Sequence, residues 1–191
     1  MSQKMRALIV TVLISCGVAS FTRADGAAQA AAPTPVEVPV RTSMCELLLH
    51  PETWNHKLVE VSGQVSQGFE DFTLNVGECR ESMGIWLEVG GKRKSGTVYC
   101  CGVTGDRERA TDLMVEGTSI PLVDDKPLKN FLQALYRHSG TGYVRLDATL
   151  VGRFFAGARW VRPGDGKVFW MGYGHMGCCS LLAIQQVISV K

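Results

Sequence analysis

From residue 58 onward, apolar and polar positions alternate in short runs separated by glycine. Val59, Val61 and Val65 alternate with Glu60, Ser62 and Gln64, the period of a strand with one buried face. Gly63 interrupts that face and marks a strong bend or a close crossing. Gly68 opens a tight connection, after which Phe72, Leu74 and Val76 share a face. Ile85, Leu87 and Val89 repeat the pattern, with Trp86 and Glu88 opposite them, and Gly90-Gly91 ends the run. Near the end of the chain Val144, Leu146, Ala148 and Leu150 alternate with Arg145, Asp147 and Thr149, and Gly152 leads into Arg153-Phe154-Phe155. Leu181 to Val190 closes the sequence as a mostly apolar strand.

Two stretches have the other period. Leu128, Phe131, Leu132, Leu135 and Tyr136 fall at i, i+3, i+4, i+7 and i+8, which puts one apolar stripe on a helix. Asp125 suits its N-terminal cap, Pro127 its first turn, and Gly140 its end. Upstream, Ser43 and Glu46 have capping-box spacing before a short helix with Cys45 and Leu47 to Leu49. Pro51 stops that helix, and residues 51–57 read as a turn. Residues 97–123 show no clear period, although Val98 to Cys101 would extend the sheet and 105–111 read as a charged loop.

The order is a short helix, three strands, a helix and two strands. Mostly β with one or two helices, it predicts a small OB-like Greek-key barrel, which places a helix between its third and fourth strands and leaves no open edge. Particular residues agree. Cys45-Glu46-Leu47-Leu48, Pro51-Glu52 and Leu58 to Gly63 resemble the opening of exported bacterial OB-fold-like proteins, a group without an assigned activity. Gly84-Ile85-Trp86-Leu87, Gly152-Arg153-Phe154, Gly172-Tyr173-Gly174-His175 and the closing strand resemble later parts of that group, over roughly residues 40–190. The resemblance implies the barrel and an exported location, but no reaction, cofactor or ligand.

The N-terminal residues have a different character. Lys4 and Arg6 precede a mostly apolar run from Ala7 to Phe21, and Ala28-Gln29-Ala30 follows as an A-x-A cleavage sequence. Charge, grease and small residues in that order predict a secretory signal peptide over 1–30, a flexible tail or tether over 31–40, and a barrel domain over 41–191. The expected mature chain starts near Ala31. Leu13-Ile14-Ser15-Cys16 also resembles a lipobox, so a lipid on Cys16 is the one membrane attachment the sequence offers. The expected location is the periplasm or cell envelope, or the extracellular space.

Removing the leader changes the electrostatics. The chain has 20 Lys and Arg against 18 Asp and Glu, and Lys4, Arg6, Arg23 and Asp25 leave with the leader, so 17 of each sign remain. No global field then attracts a phosphate backbone, and weak nucleic-acid binding is expected.

Six cysteines follow Cys16: Cys45, Cys79, Cys100, Cys101, Cys178 and Cys179. An even number in an exported chain suggests disulfides. The expected staple joins Cys178 or Cys179 to the Cys79–Cys101 region, bringing the last strand back to the third. A sharper alternative is a zinc or copper site on His175, Cys178, Cys179 and Cys100, since imidazole and thiolate bind both metals. No C-x-x-C, H-E-x-x-H or G-x-S-x-G motif is present, so no catalytic residue and no cofactor is assigned.

Residues 156–177 hold six glycines and interleave arginines with aromatics, as a long loop or hairpin. Arg153, Arg159, Trp160 and Arg162 are the candidate binding side chains, able to stack on sugars or bases. Trp160 and Trp170 also suit a cover over the barrel end. The sequence therefore predicts a non-catalytic exported binding or structural module, with an envelope protein, peptide or glycan as partner. The alternative is a thiol- or metal-dependent enzyme or metal carrier centred on His175, Cys178 and Cys179.

Overall fold

In the computed structural model, which describes residues 37–75, 84–95, 109–137 and 143–191, the chain enters through a two-residue strand, β1 (Val40–Arg41). The leader, Cys16, Cys79, Cys100, Cys101, Val98 and Gly140 lie outside the described residues, all of which belong to one unit, Val36–Lys191. Ser43 then caps α1 (Met44–Leu49), its hydroxyl accepting the Glu46 amide at 3.2 Å. Pro51 does more than stop this helix. It opens a one-turn helix, α2 (Pro51–Trp54), because a first-turn residue needs no amide hydrogen.

The barrel strands follow: β2 (Leu58–Gln67), β3 (Phe72–Asn75) and β4 (Ile85–Val89). A small hairpin, β5 (Leu113–Val115) and β6 (Thr118–Ile120), precedes α3 (Lys126–Arg137), where Asp125 accepts the Leu128 amide at 3.0 Å. Then come β7 (Val144–Phe155), the hairpin β8 (Ala158–Val161) and β9 (Val168–Met171), a 3-10 turn at His175–Gly177, and β10 (Ser180–Val190).

Five of these strands close on themselves. β2 pairs with β3, β3 with β4, β4 in parallel with β10, β10 with β7, and β7 back with β2. α3 falls between the third and fourth barrel strands, so the fold is a small OB-like Greek-key barrel. Gly63 marks a close crossing as expected: a Cβ there would stand 3.1 Å from the Asn75 carbonyl oxygen and from Leu74.

The alternation in β2 and β7 fills the interior. Val59, Val61, Val65, Leu146 and Leu150 meet Phe72, Leu87 and Leu182, while Leu128, Phe131 and Leu135 of α3 and Leu47 of α1 join the same core. A second cluster lies on the outer face of β4 and β10, where Trp86, Phe155, Leu181 and Ala183 pack with Leu113, Val115 and Ile120 of the β5–β6 hairpin. That cover buries both faces of β4. Glu88 is consequently buried as well. Arg109 donates to its carboxylate at 2.6 Å and to the Val89 and Arg93 carbonyls at 2.7 Å, and Ser95 donates to its other oxygen at 3.2 Å.

Candidate binding groove

Two connections meet at one side of the barrel. The turn 68–71, between β2 and β3, carries Phe69, Glu70 and Asp71; the segment 172–179, between β9 and β10, carries Tyr173, His175, Met176 and the cysteine pair. Gly68 bonds the Asp71 carbonyl through its amide at 2.8 Å, which tightens the turn and pushes Phe69 outward. Tyr143 lies over it, since a Cβ on Gly68 would stand 3.0 Å from the Tyr143 Cζ.

The later segment is wound by glycines. Gly174 and Gly177 have φ of 77° and 68°, and Met176 joins them at 53°, a conformation a side chain seldom adopts. Met176 is thereby held out into solvent, 88% exposed. Between the turn and this segment runs a groove of about 580 Å³ lined by Phe69, Tyr143, Trp86, His175, Met176 and Cys178, among others. Phe69 and Tyr143 are 62% and 67% exposed, so three large side chains stand open to water around one depression. His175 Nδ1 faces Glu70 Oε2 at 3.7 Å and spans its mouth.

The cysteine expectation needs correction here. Cys178 and Cys179 are disulfide-bonded to each other, not to the Cys79–Cys101 region. Cys179 is buried in the second core cluster while Cys178 lines the groove, so the bond fixes the backbone locally at the end of the 172–179 segment and does not staple the barrel ends. Cys45 is disulfide-bonded too, and to neither of these. With both sulfurs so engaged, Cys178 and Cys179 offer no thiolate to a metal. Among the described residues no group of three or more His, Cys, Asp or Glu side chains has the placement of a metal site, and Cys100 lies outside them.

The four candidate arginine and tryptophan side chains are not assembled into one site. Arg153 is part of the seam between β7 and the start of β2, where it pairs with Glu37 and donates to the His56 carbonyl at 2.6 Å. Arg159 and Trp160 stand on the exposed β8 strand, and Arg162 follows it at the start of the hairpin turn. Trp160 packs on Phe169 across the hairpin, ring centroids 5.8 Å apart, and Arg162 lies over the same ring while its Nε donates to Asp165 at 3.0 Å. Trp170, by contrast, is partly buried against the main core.

A polar triad holds the groove's far wall. Tyr173 donates its hydroxyl to Glu116 at 2.5 Å, and His56 Nε2 meets the other carboxylate oxygen at 2.7 Å. Burial, and then the Glu116 carboxylate, raise the Tyr173 phenol well above its ordinary pKa, so it stays a donor. None of the three side chains lines the groove. Their work is to fasten the 172–179 segment to the tip of the β5–β6 hairpin.

Phe69, Asp71, Tyr143 and Met176 were not among the sequence candidates. An exposed aromatic beside two acids in a glycine turn is the signal that Phe69 offered. Met176 offered none, because its exposure follows from the winding of the glycines around it. Compared with known proteins, the chain matches no family model, no curated protein and no solved structure.

Proposed function

We propose that the chain is an exported, non-catalytic binding module of the cell envelope, and that its ligand sits in the groove between Phe69 and Met176. The observation that carries this reading is the coincidence of an open, aromatic-lined groove with the barrel face and loops on which OB-type barrels hold oligomeric ligands. Export is supported by the leader pattern and A-x-A sequence, by the even cysteine count after Cys16, and by the resemblance to exported bacterial OB-fold-like proteins. A disulfide at the groove agrees with an oxidising compartment.

A second reading, a thiol- or metal-dependent enzyme or metal carrier, draws on the shared position of His175 and Cys178 in the groove wall. It requires the Cys178–Cys179 bond to take up two electrons and two protons, giving two thiols. Thiol titration and metal analysis of the full-length protein purified from the exported fraction separate the two. The binding module predicts no titratable thiol at Cys178 or Cys179 and no stoichiometric metal. Bound zinc or copper together with two reduced thiols would overturn it in favour of the metal reading.

A further inference from the structure

The groove at Phe69 continues past the turn. Asp71, Thr73 and Tyr143 also line a second, polar groove of about 1060 Å³ that crosses the outer faces of β3, β2 and β7. Its floor is made of hydroxyl and amide side chains, among them Ser62, Gln64, Thr73, Asn75 and Thr149. We propose that the joined groove binds a neutral oligosaccharide, with a sugar face laid on Tyr143 and the hydroxyls met by this floor; the proposal rests on the binding-module reading above.

Four features point to that class. Size is the first: the two volumes of about 1060 and 580 Å³ adjoin, and together they exceed what a single small molecule fills, roughly 300–1,000 Å³. A chain of units suits them. Charge is the second. Arg145 and Lys191 on the polar groove are matched by Asp71 and Asp147, and Glu70 adds a further carboxylate at the apolar end, so no positive excess draws a phosphate or an acidic polymer.

The third concerns the sheet underneath. β2 is paired with β7 along its whole length and with β3 over Gln64–Gln67, and β3 is paired in turn with β4. Where the groove crosses the β2–β7 seam, an extended peptide finds no free strand edge to add to, the mode by which a sheet would hold it. Fourth, the floor is already ordered yet retains hydrogen-bonding capacity. Ser62 and Thr149 hydroxyls bond each other at 2.8 Å, and Asn75 Nδ2 donates to Thr73 at 2.9 Å. A hydroxyl can donate once and accept twice, so each has valences left for a sugar. At the apolar end Trp86 lines the groove, and its Nε1–H is buried with no hydrogen-bond partner among the described residues.

Isothermal calorimetry on the purified full-length protein tests this, with cellotetraose, chitotetraose, an oligothymidylate and a tetra-alanine peptide as probes. At least one of the two tetrasaccharides should bind with sub-millimolar Kd. Tyr143→Ala should weaken that binding by at least about 5-fold, while Tyr143→Phe, which keeps the ring, should hold it within about 2-fold. Tyr143 is mostly exposed, and an unchanged Tm confirms that each variant is folded. Failure of both sugars to bind overturns the proposal. If the oligothymidylate or the peptide binds instead and Tyr143→Ala weakens it, the saccharide assignment is wrong and the groove stands. If a sugar binds but Tyr143→Ala and Phe69→Ala leave its affinity unchanged, the groove itself is wrong.

Discussion

Gly174 lies against the face of Trp86 so closely that a Cβ built on it would stand 2.3 Å from the indole Cε3. This contact seats the 172–179 segment on the outer core, beside the groove that Trp86 lines. Its φ of 77° adds a backbone reason for glycine. Gly174→Ala should therefore destabilise the fold by about 2–4 kcal/mol, combining overpacking with left-handed strain. Urea unfolding of the variant measures it, and Gly164→Ala, where nothing crowds the added Cβ, supplies the comparison.

The Glu88–Arg109 pair is sealed under β4, with side chains 0% and 5% exposed. Arg109→Ala removes this guanidinium from the buried Glu88 carboxylate and should cost about 3–5 kcal/mol. Replacing both with Met and Leu should recover much of that loss. Thermal melts of the single and double variants read the difference.

The Cys178–Cys179 bond closes the shortest loop a chain can form, so it removes little entropy from the unfolded state. Non-reducing peptide mapping should find one peptide carrying both cysteines, lighter by two hydrogens and linked to no other. Reducing this bond alone should shift global stability by less than about 1 kcal/mol, whereas a barrel staple would be worth about 4–5.

Two carboxylates give opposite pH signatures. The Arg153 hydrogen bond holds the Glu37 carboxyl below its usual 4.5, so its stabilisation is present above that pH and is lost as pH falls through the folded value. Burial raises the Asp71 carboxyl above 3.8, against a smaller pull from Thr73, so its contribution favours the fold below that pH and is lost as pH rises through the folded value. Glu37→Gln should flatten the acid limb of a Tm profile. Asp71→Asn should raise Tm at neutral pH by up to about 3 °C and have little effect in acid.

The barrel was legible because its evidence is periodic. Val59 to Val65, Ile85 to Val89 and Val144 to Leu150 each show the strand period, and Leu128 to Tyr136 shows the helical one. The β5–β6 hairpin was not legible: each of its strands is three residues long, too short to show a period, and its turn is made by Glu116 and Gly117 at positive φ. Trp86 and Glu88 looked like an outward face only because that hairpin, which covers them, was unseen. The site was harder to read for a related reason. Arg153, Arg159, Trp160 and Arg162 stood out by chemistry, yet each described ion pair of Arg153 and Arg162 is structural. The groove depends on a turn and a glycine-wound segment that lie about a hundred residues apart in sequence.

Amide chemical-shift mapping on isotopically labelled full-length protein tests the groove most directly, using whichever calorimetric probe binds tightest. The groove predicts the largest shifts at Phe69, Thr73, Trp86, Tyr143, His175 and Met176, with the β8–β9 hairpin unmoved. Largest shifts at Arg159 to Arg162 with those six amides unchanged would contradict it.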